Sequence, residues 1–83
     1  MKHILYTEDE GGAFKYLSYG SDEQGKAFYD KVVKSGRLIY QSGDRIVNIK
    51  PAYILIVEDV DGYDFVLGKR RFNGKVIEEE KKA

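Results

Sequence analysis

The stretch RIVNIKPAYILIVEDVDGYDFVLGKRRF, residues 45–72, contains the densest apolar run in the chain, AYILIV at 52–57, and the sole proline, Pro51. Short runs of β-branched and aromatic residues bounded by turn formers read as strands. Residues 52–58 are closed by Asp59, Val60, Asp61 and Gly62 and followed by a second apolar run at 63–67, which predicts two strands paired antiparallel at the centre of a sheet. Pro51 cannot donate to a ladder and so marks a corner before the first of them. Gly68 reads as a bulge, and Asn73-Gly74 is the strongest two-residue hairpin signal, returning the chain through Lys75, Val76 and Ile77 as a short last strand.

Working outward, residues 3–7 and 13–19 are β-prone and flank Gly11-Gly12, a pair able to supply positive φ in a hairpin loop. In the second of these, Phe14, Tyr16 and Ser18 alternate with Lys15, Leu17 and Tyr19, so neither face is cleanly polar. Ser21-Asp22-Glu23-Gln24 is a capping box, with the Ser21 hydroxyl accepting from the Gln24 amide and the Gln24 side chain returning to Ser21. Phe28, Tyr29, Val32 and Val33 follow at helical spacing, Lys26, Asp30 and Lys34 stand opposite, and Gly36 offers a left-handed cap. The pattern predicts a helix over residues 22–35. Residues 37–41 and 45–49 form a further hairpin around Ser42-Gly43-Asp44.

These elements give an α+β fold: a mainly antiparallel, twisted sheet of five to seven strands in the order β-β-α-β-β-β-(β), one helix on one face, with curling into a small barrel as the limit of its twist. A chain of 83 residues has enough core for one domain, assigned to residues 1–77. Residues 78–83, EEEKKA, lack an apolar partner and read as a charged, disordered tail. The expected core includes Phe28, Val32, Ile54, Ile56 and Phe65.

Composition excludes more than it selects. With 14 Lys+Arg against 14 Asp+Glu there is no global field for nucleic acid or an anionic membrane. Without cysteine, disulfides, zinc clusters and thiol nucleophiles are ruled out, and the expected compartment is the cytoplasm. No apolar run approaches the length of a signal core or a membrane span. A calcium loop beginning at Asp59 would need glycine where Asp64 stands and glutamate where Arg70 stands. The glycines assemble neither a phosphate loop nor a dinucleotide fingerprint. The one histidine, His3, reads as an exposed strand residue, and without a second histidine or a cysteine the usual nucleophile–base pairs do not form. No catalytic residue, metal site, cofactor or small-molecule ligand is therefore expected.

The segment in which an Asn-x-x-Pro step joins two apolar strands before a glycine turn and a Gly-Lys-Arg-x-Phe strand resembles small β-meander proteins of bacteria and phages. It covers about a third of the chain.

Two surfaces remain as candidates. One helix cannot cover a broad sheet, so some of Tyr6, Tyr16, Tyr40, Tyr53 and Tyr63 are expected on an uncovered face, where they would favour a protein partner or a second copy. The expected function is accordingly a small non-catalytic interaction or regulatory domain of bacterial or phage type, acting through protein contacts on a sheet face or edge. The alternative is nucleic-acid binding through a basic β-ribbon carrying Lys69, Arg70, Arg71 and Lys75, with Arg45 and Lys50 on a neighbouring strand.

Overall fold

The computed structural model describes residues 2–81. Six strands and one helix follow in the order β1 (Lys2–Thr7), β2 (Lys15–Leu17), α1 (Asp22–Ser35), β3 (Leu38–Ser42), β4 (Arg45–Ile49), β5 (Tyr53–Leu67) and β6 (Arg70–Lys81). β2-β1-β5-β6 form one antiparallel sheet, and β3 and β4 form a separate two-stranded ribbon. The α+β class and the helix bounds agree with the sequence pattern. The sheet is not closed into a barrel: Phe14, just before β2, makes one backbone bond to the far half of β5, from its N–H to Val66 O at 3.3 Å.

The helix begins where its cap dictates. Ser21 is extended, its hydroxyl accepts from the Gln24 amide at 3.2 Å, and Gly36 ends the helix at φ 76°, with its N–H bonded to the Val32 carbonyl. The Gln24 side-chain oxygen, expected to return to Ser21, instead lies over Gly20, where a Cβ would come within 2.9 Å of it. Tyr29 and Val32 meet Ile4, Tyr6, Ile54 and Ile56 of the sheet and Leu38 of β3 in one core, with Tyr40, Ile49 and Phe28 packed against it. Phe28 is thus only half-buried, while Val32, Ile54, Ile56 and Phe65 are buried.

β5 departs from the sequence reading in one decisive respect. The chain does not reverse at Asp59-Val60-Asp61-Gly62; both halves of β5 pair with the same strand, β6. Glu58 faces Lys75 and Tyr63 faces Gly74, so the four residues between them have no counterpart. They form a corner that folds the far half of the ribbon over the sheet's second face. There Phe65 packs with Leu5, Leu55 and Val57, and Phe72 and Val76 of β6 pack against them. The reversal lies at Gly68, a turn residue at φ 64° and not a bulge, and Asn73-Gly74 lies inside β6. Lys75, Val76 and Ile77 accordingly belong to that strand and do not return as another.

Two further expectations change. Glu78, Glu79, Glu80 and Lys81 pair with Ile56, Leu55, Ile54 and Tyr53 as the end of β6, where a frayed tail was expected; residues 82–83 lie outside the described residues. Carboxylate side chains projecting into water leave the backbone free to extend the ladder, and Lys26 reaches from α1 to Glu78 at 2.6 Å. Arg45 and Lys50 do not neighbour the basic ribbon within its sheet, because β4 pairs only with β3. Among the described residues, no helix is long and apolar enough to cross a membrane.

Candidate functional site

The corner distributes the five candidate tyrosines in a way that a flat sheet would not. Tyr6 and Tyr40 lie on the helix side, their hydroxyls bonded to each other at 2.9 Å. Burial, reinforced by the Tyr40 hydroxyl, pushes the Tyr6 phenol well above its ordinary range. Neither side chain lies on an uncovered face, because the second face is itself covered by the folded-over ribbon.

Tyr53 and Tyr63 do come together. The four-residue corner preserves the period-two alternation, so odd-numbered residues of both halves of β5 share one face: Tyr53, Leu55 and Val57 before the corner, Phe65 and Leu67 after it. Phe14, at the end of the first hairpin loop, wedges between the halves, 5.8 Å from Tyr53 and 5.2 Å from Phe65 between ring centres. Tyr63 meets the Phe65 ring edge-on at 5.0 Å and is 67% exposed.

Two adjoining cavities share Phe14 and Tyr53. One, of about 340 Å³, also touches Thr7, Glu10, Gly11, Gly12, Ala52 and Lys81. The other, of about 350 Å³, is lined by Tyr63, Phe65 and Val76 as well. With Phe14 and Tyr53 as their common wall they form a cleft, and Lys81 lies over the Tyr53 ring at 4.9 Å. Burial and the nearby Glu79 carboxylate raise the Tyr53 phenol pKa.

Val76 and Lys81 belong to β6, and β6 is the edge of the sheet. Eleven of its twelve residues pair with β5, Ile77 being bulged between the Ile56–Glu78 and Val57–Val76 pairs, and among the described residues no backbone bond joins the outer side of β6 to another element. In an antiparallel pair, every second residue of such an edge directs its N–H and C=O outward. The cleft therefore runs beside an open row of backbone donors and acceptors.

Tyr16 stands apart. Its hydroxyl meets His3 Nδ1 at 2.5 Å, and His3 lies against Phe72, 5.0 Å between ring centres. His3 is buried, contrary to the exposed position expected, because β1 is an inner strand with both faces covered. Its Nε2 has no hydrogen-bond partner, and the Asp59 carboxylate is 4.0 Å away.

The four cations of the basic ribbon are exposed, with Lys69 in the turn, Arg70 and Arg71 at the start of β6, and Lys75 separated from them at the corner opposite Glu58. Among the described residues, no cluster of three or more His, Asp and Glu side chains could hold a metal ion.

Sequence reasoning missed Phe14, Phe65, Val76 and Lys81 as cleft residues and His3 and Phe72 as partners of Tyr16. The odd-position alternation through 53–67 is the signal that would have placed Phe65 beside Tyr53 and Tyr63. No protein-family model matches the chain, and neither the curated proteins nor the solved structures give a match.

Proposed function

We propose that this protein is a small non-catalytic interaction domain that takes an extended segment of a partner protein along the outer side of β6, with alternate side chains of that segment resting in the Phe14–Tyr53–Tyr63 cleft. One observation carries the reading: β6, an edge strand with no backbone partner on its outer side among the described residues, borders open aromatic cavities that two of its own side chains, Val76 and Lys81, help to line. Added strands obtain affinity from main-chain bonds and selectivity from pockets for every second side chain, and this arrangement offers both. Tyrosine and phenylalanine supply contact area with little rotamer freedom to lose. Two cavities with Phe14 and Tyr53 in common offer places for more than one side chain, which suits an extended chain better than a single anchor. His3 is packed beneath Tyr16 and Phe72, away from the cleft, in keeping with a non-catalytic role. The lack of cysteine supports a cytoplasmic setting.

The test is to select binders from a displayed peptide library and map them by amide chemical shifts. Binders should perturb alternate amides of β6 together with Tyr53 and Tyr63, and Tyr63→Ala, at an exposed position, should weaken them at least tenfold without altering the melting temperature. Binders that map to the helix or to β3–β4, or a selection that yields none, would contradict the reading. A second copy of the chain in that role would appear as concentration-dependent sedimentation lost in the same variant.

A further inference from the structure

The basic ribbon remains outside the site just described. The ion pairs among the described residues use Lys15 with Glu8 and Lys26 with Asp30 and Glu78; Lys69, Arg70 and Arg71 take part in none. Three adjacent exposed cations thus lack an ion-pair partner among the described residues, in a chain whose charges balance overall.

They do not stand alone. Arg70 and Arg71 line a cavity of about 210 Å³ together with Tyr16, Leu67 and Phe72. The Tyr16 and Phe72 rings are 6.1 Å apart at 48° to one another, and Tyr16 is 41% exposed. Both rings are braced from beneath by His3, which accepts or donates at the Tyr16 hydroxyl and packs edge-on against Phe72. The aromatic wall is therefore fixed before any ligand arrives.

We propose that this cavity binds single-stranded nucleic acid, one base lying against Tyr16 and Phe72 while Arg70, Arg71 and Lys69 contact the flanking phosphates. Every base presents a π-face, so a fixed aromatic wall takes it without regard to sequence. Guanidinium groups match phosphate oxygens in paired bonds. A duplex keeps its base faces stacked inside and could use the cations but not the wall, so the pairing of the two features selects the single strand. Neither Lys69 nor Lys75 lines this cavity, but Lys69 adjoins Arg70 in the turn, whereas Lys75 lies apart at the corner opposite Glu58 and is excluded from the site. The proposal does not rest on the cleft, whose lining shares none of these residues.

Fluorescence anisotropy with a short labelled oligothymidylate, the same strand in a duplex with oligoadenylate, and a labelled polyglutamate peptide tests it at two salt concentrations. The single strand should bind most tightly, with log affinity falling by about 0.7 per phosphate contact for each tenfold rise in salt. Arg70→Ala with Arg71→Ala should weaken binding at least tenfold and flatten that slope. Tyr16→Leu should weaken it roughly tenfold at unchanged slope, while Tyr16→Phe, which keeps the ring but loses the His3 bond, should weaken it less. Circular dichroism confirms that each variant is folded. No binding of the single strand at the lower salt, equal affinity for duplex or polyglutamate, or indifference to Tyr16→Leu in a folded variant would overturn the proposal.

Discussion

The Asn73 side chain pairs with the backbone of Gly62 as a neighbouring strand would: its Oδ1 accepts from the Gly62 N–H at 2.9 Å and its Nδ2 donates to the Gly62 carbonyl at 3.3 Å. The same Nδ2 donates to Asp64 at 2.7 Å. One amide thus replaces the ladder contacts that the corner in β5 removes. Asn73→Ala should destabilise the fold by about 1–2 kcal/mol, since it leaves both Gly62 backbone groups without a protein partner at a partly hydrated position. Asn73→Asp keeps the acceptor but sets a carboxylate beside Asp64, and its loss should be at least as large. Chemical denaturation of the three proteins checks both, and a wild-type midpoint for Asn73→Ala would remove the amide from its role in the corner.

Because the folded-over ribbon covers the second face, neighbouring residues of β5 are buried on opposite sides of the sheet. Leu55 and Ile56 are both buried, one in each core. Leu55→Ala and Ile56→Ala should each cost about 2–5 kcal/mol, enough to unfold much of a marginal domain of this size. A sheet with one wet face would spare one of the two, so thermal melts that separate them clearly would contradict two-sided burial.

At the helix start, Ser21→Ala should cost about 1 kcal/mol, through loss of the acceptor for the Gln24 amide. Gln24→Ala should cost less, because its side chain does not complete the box. Melting temperatures that rank the two the other way would mean that the Gln24 side chain caps the helix in solution.

Stability should also decline in alkali. Burial raises the phenol pKa of Tyr6 and Tyr19 well above the ordinary 10.0. A raised folded-state value means that the unfolded chain releases its proton first, so the stabilisation is whole below pH 10 and drains away as pH climbs from there through the raised values. Each phenol contributes a slope of up to about 1.4 kcal/mol per pH unit. Denaturation midpoints measured on both sides of pH 10 should fall on the alkaline side, and less steeply in Tyr19→Phe. An unchanged slope in that variant would show Tyr19 to be hydrated.

What was legible in the sequence was local. The cap at Ser21, the terminator at Gly36 and the apolar run at 52–57 each act within a few residues, and the helix and strands they announce are present. The corner was not legible, because Asp59-Val60-Asp61-Gly62 has turn composition whether the chain reverses there or merely bends. The distinction is made fourteen residues away from Asp59, by Asn73, and by Gly74, where a Cβ would strike the Val57 side chain and come within 2.9 Å of the Glu58 carbonyl. Asn-Gly is favoured in hairpin turns for its backbone freedom, and here that smallness serves a close crossing of strands. Missing the corner hid the cleft. Tyr53 and Tyr63 were identified as candidates, but without the fold-over they had no reason to share a surface, and Tyr6 and Tyr40 had no reason to be excluded from it.

Strand addition beside Tyr53 requires β6 to be an ordered edge as far as Glu78–Lys81. Amide hydrogen exchange of the isolated protein, read residue by residue from Arg70 to Lys81, tests this most directly. Beyond the bulge at Ile77, alternation should resume from Glu78 to Lys81, with amides bonded to β5 protected and those directed outward exchanging freely. Uniformly unprotected amides from Glu78 onward would mean that the acidic segment is frayed, that the edge stops at Ile77, and that an added strand has no ladder to join beside Tyr53.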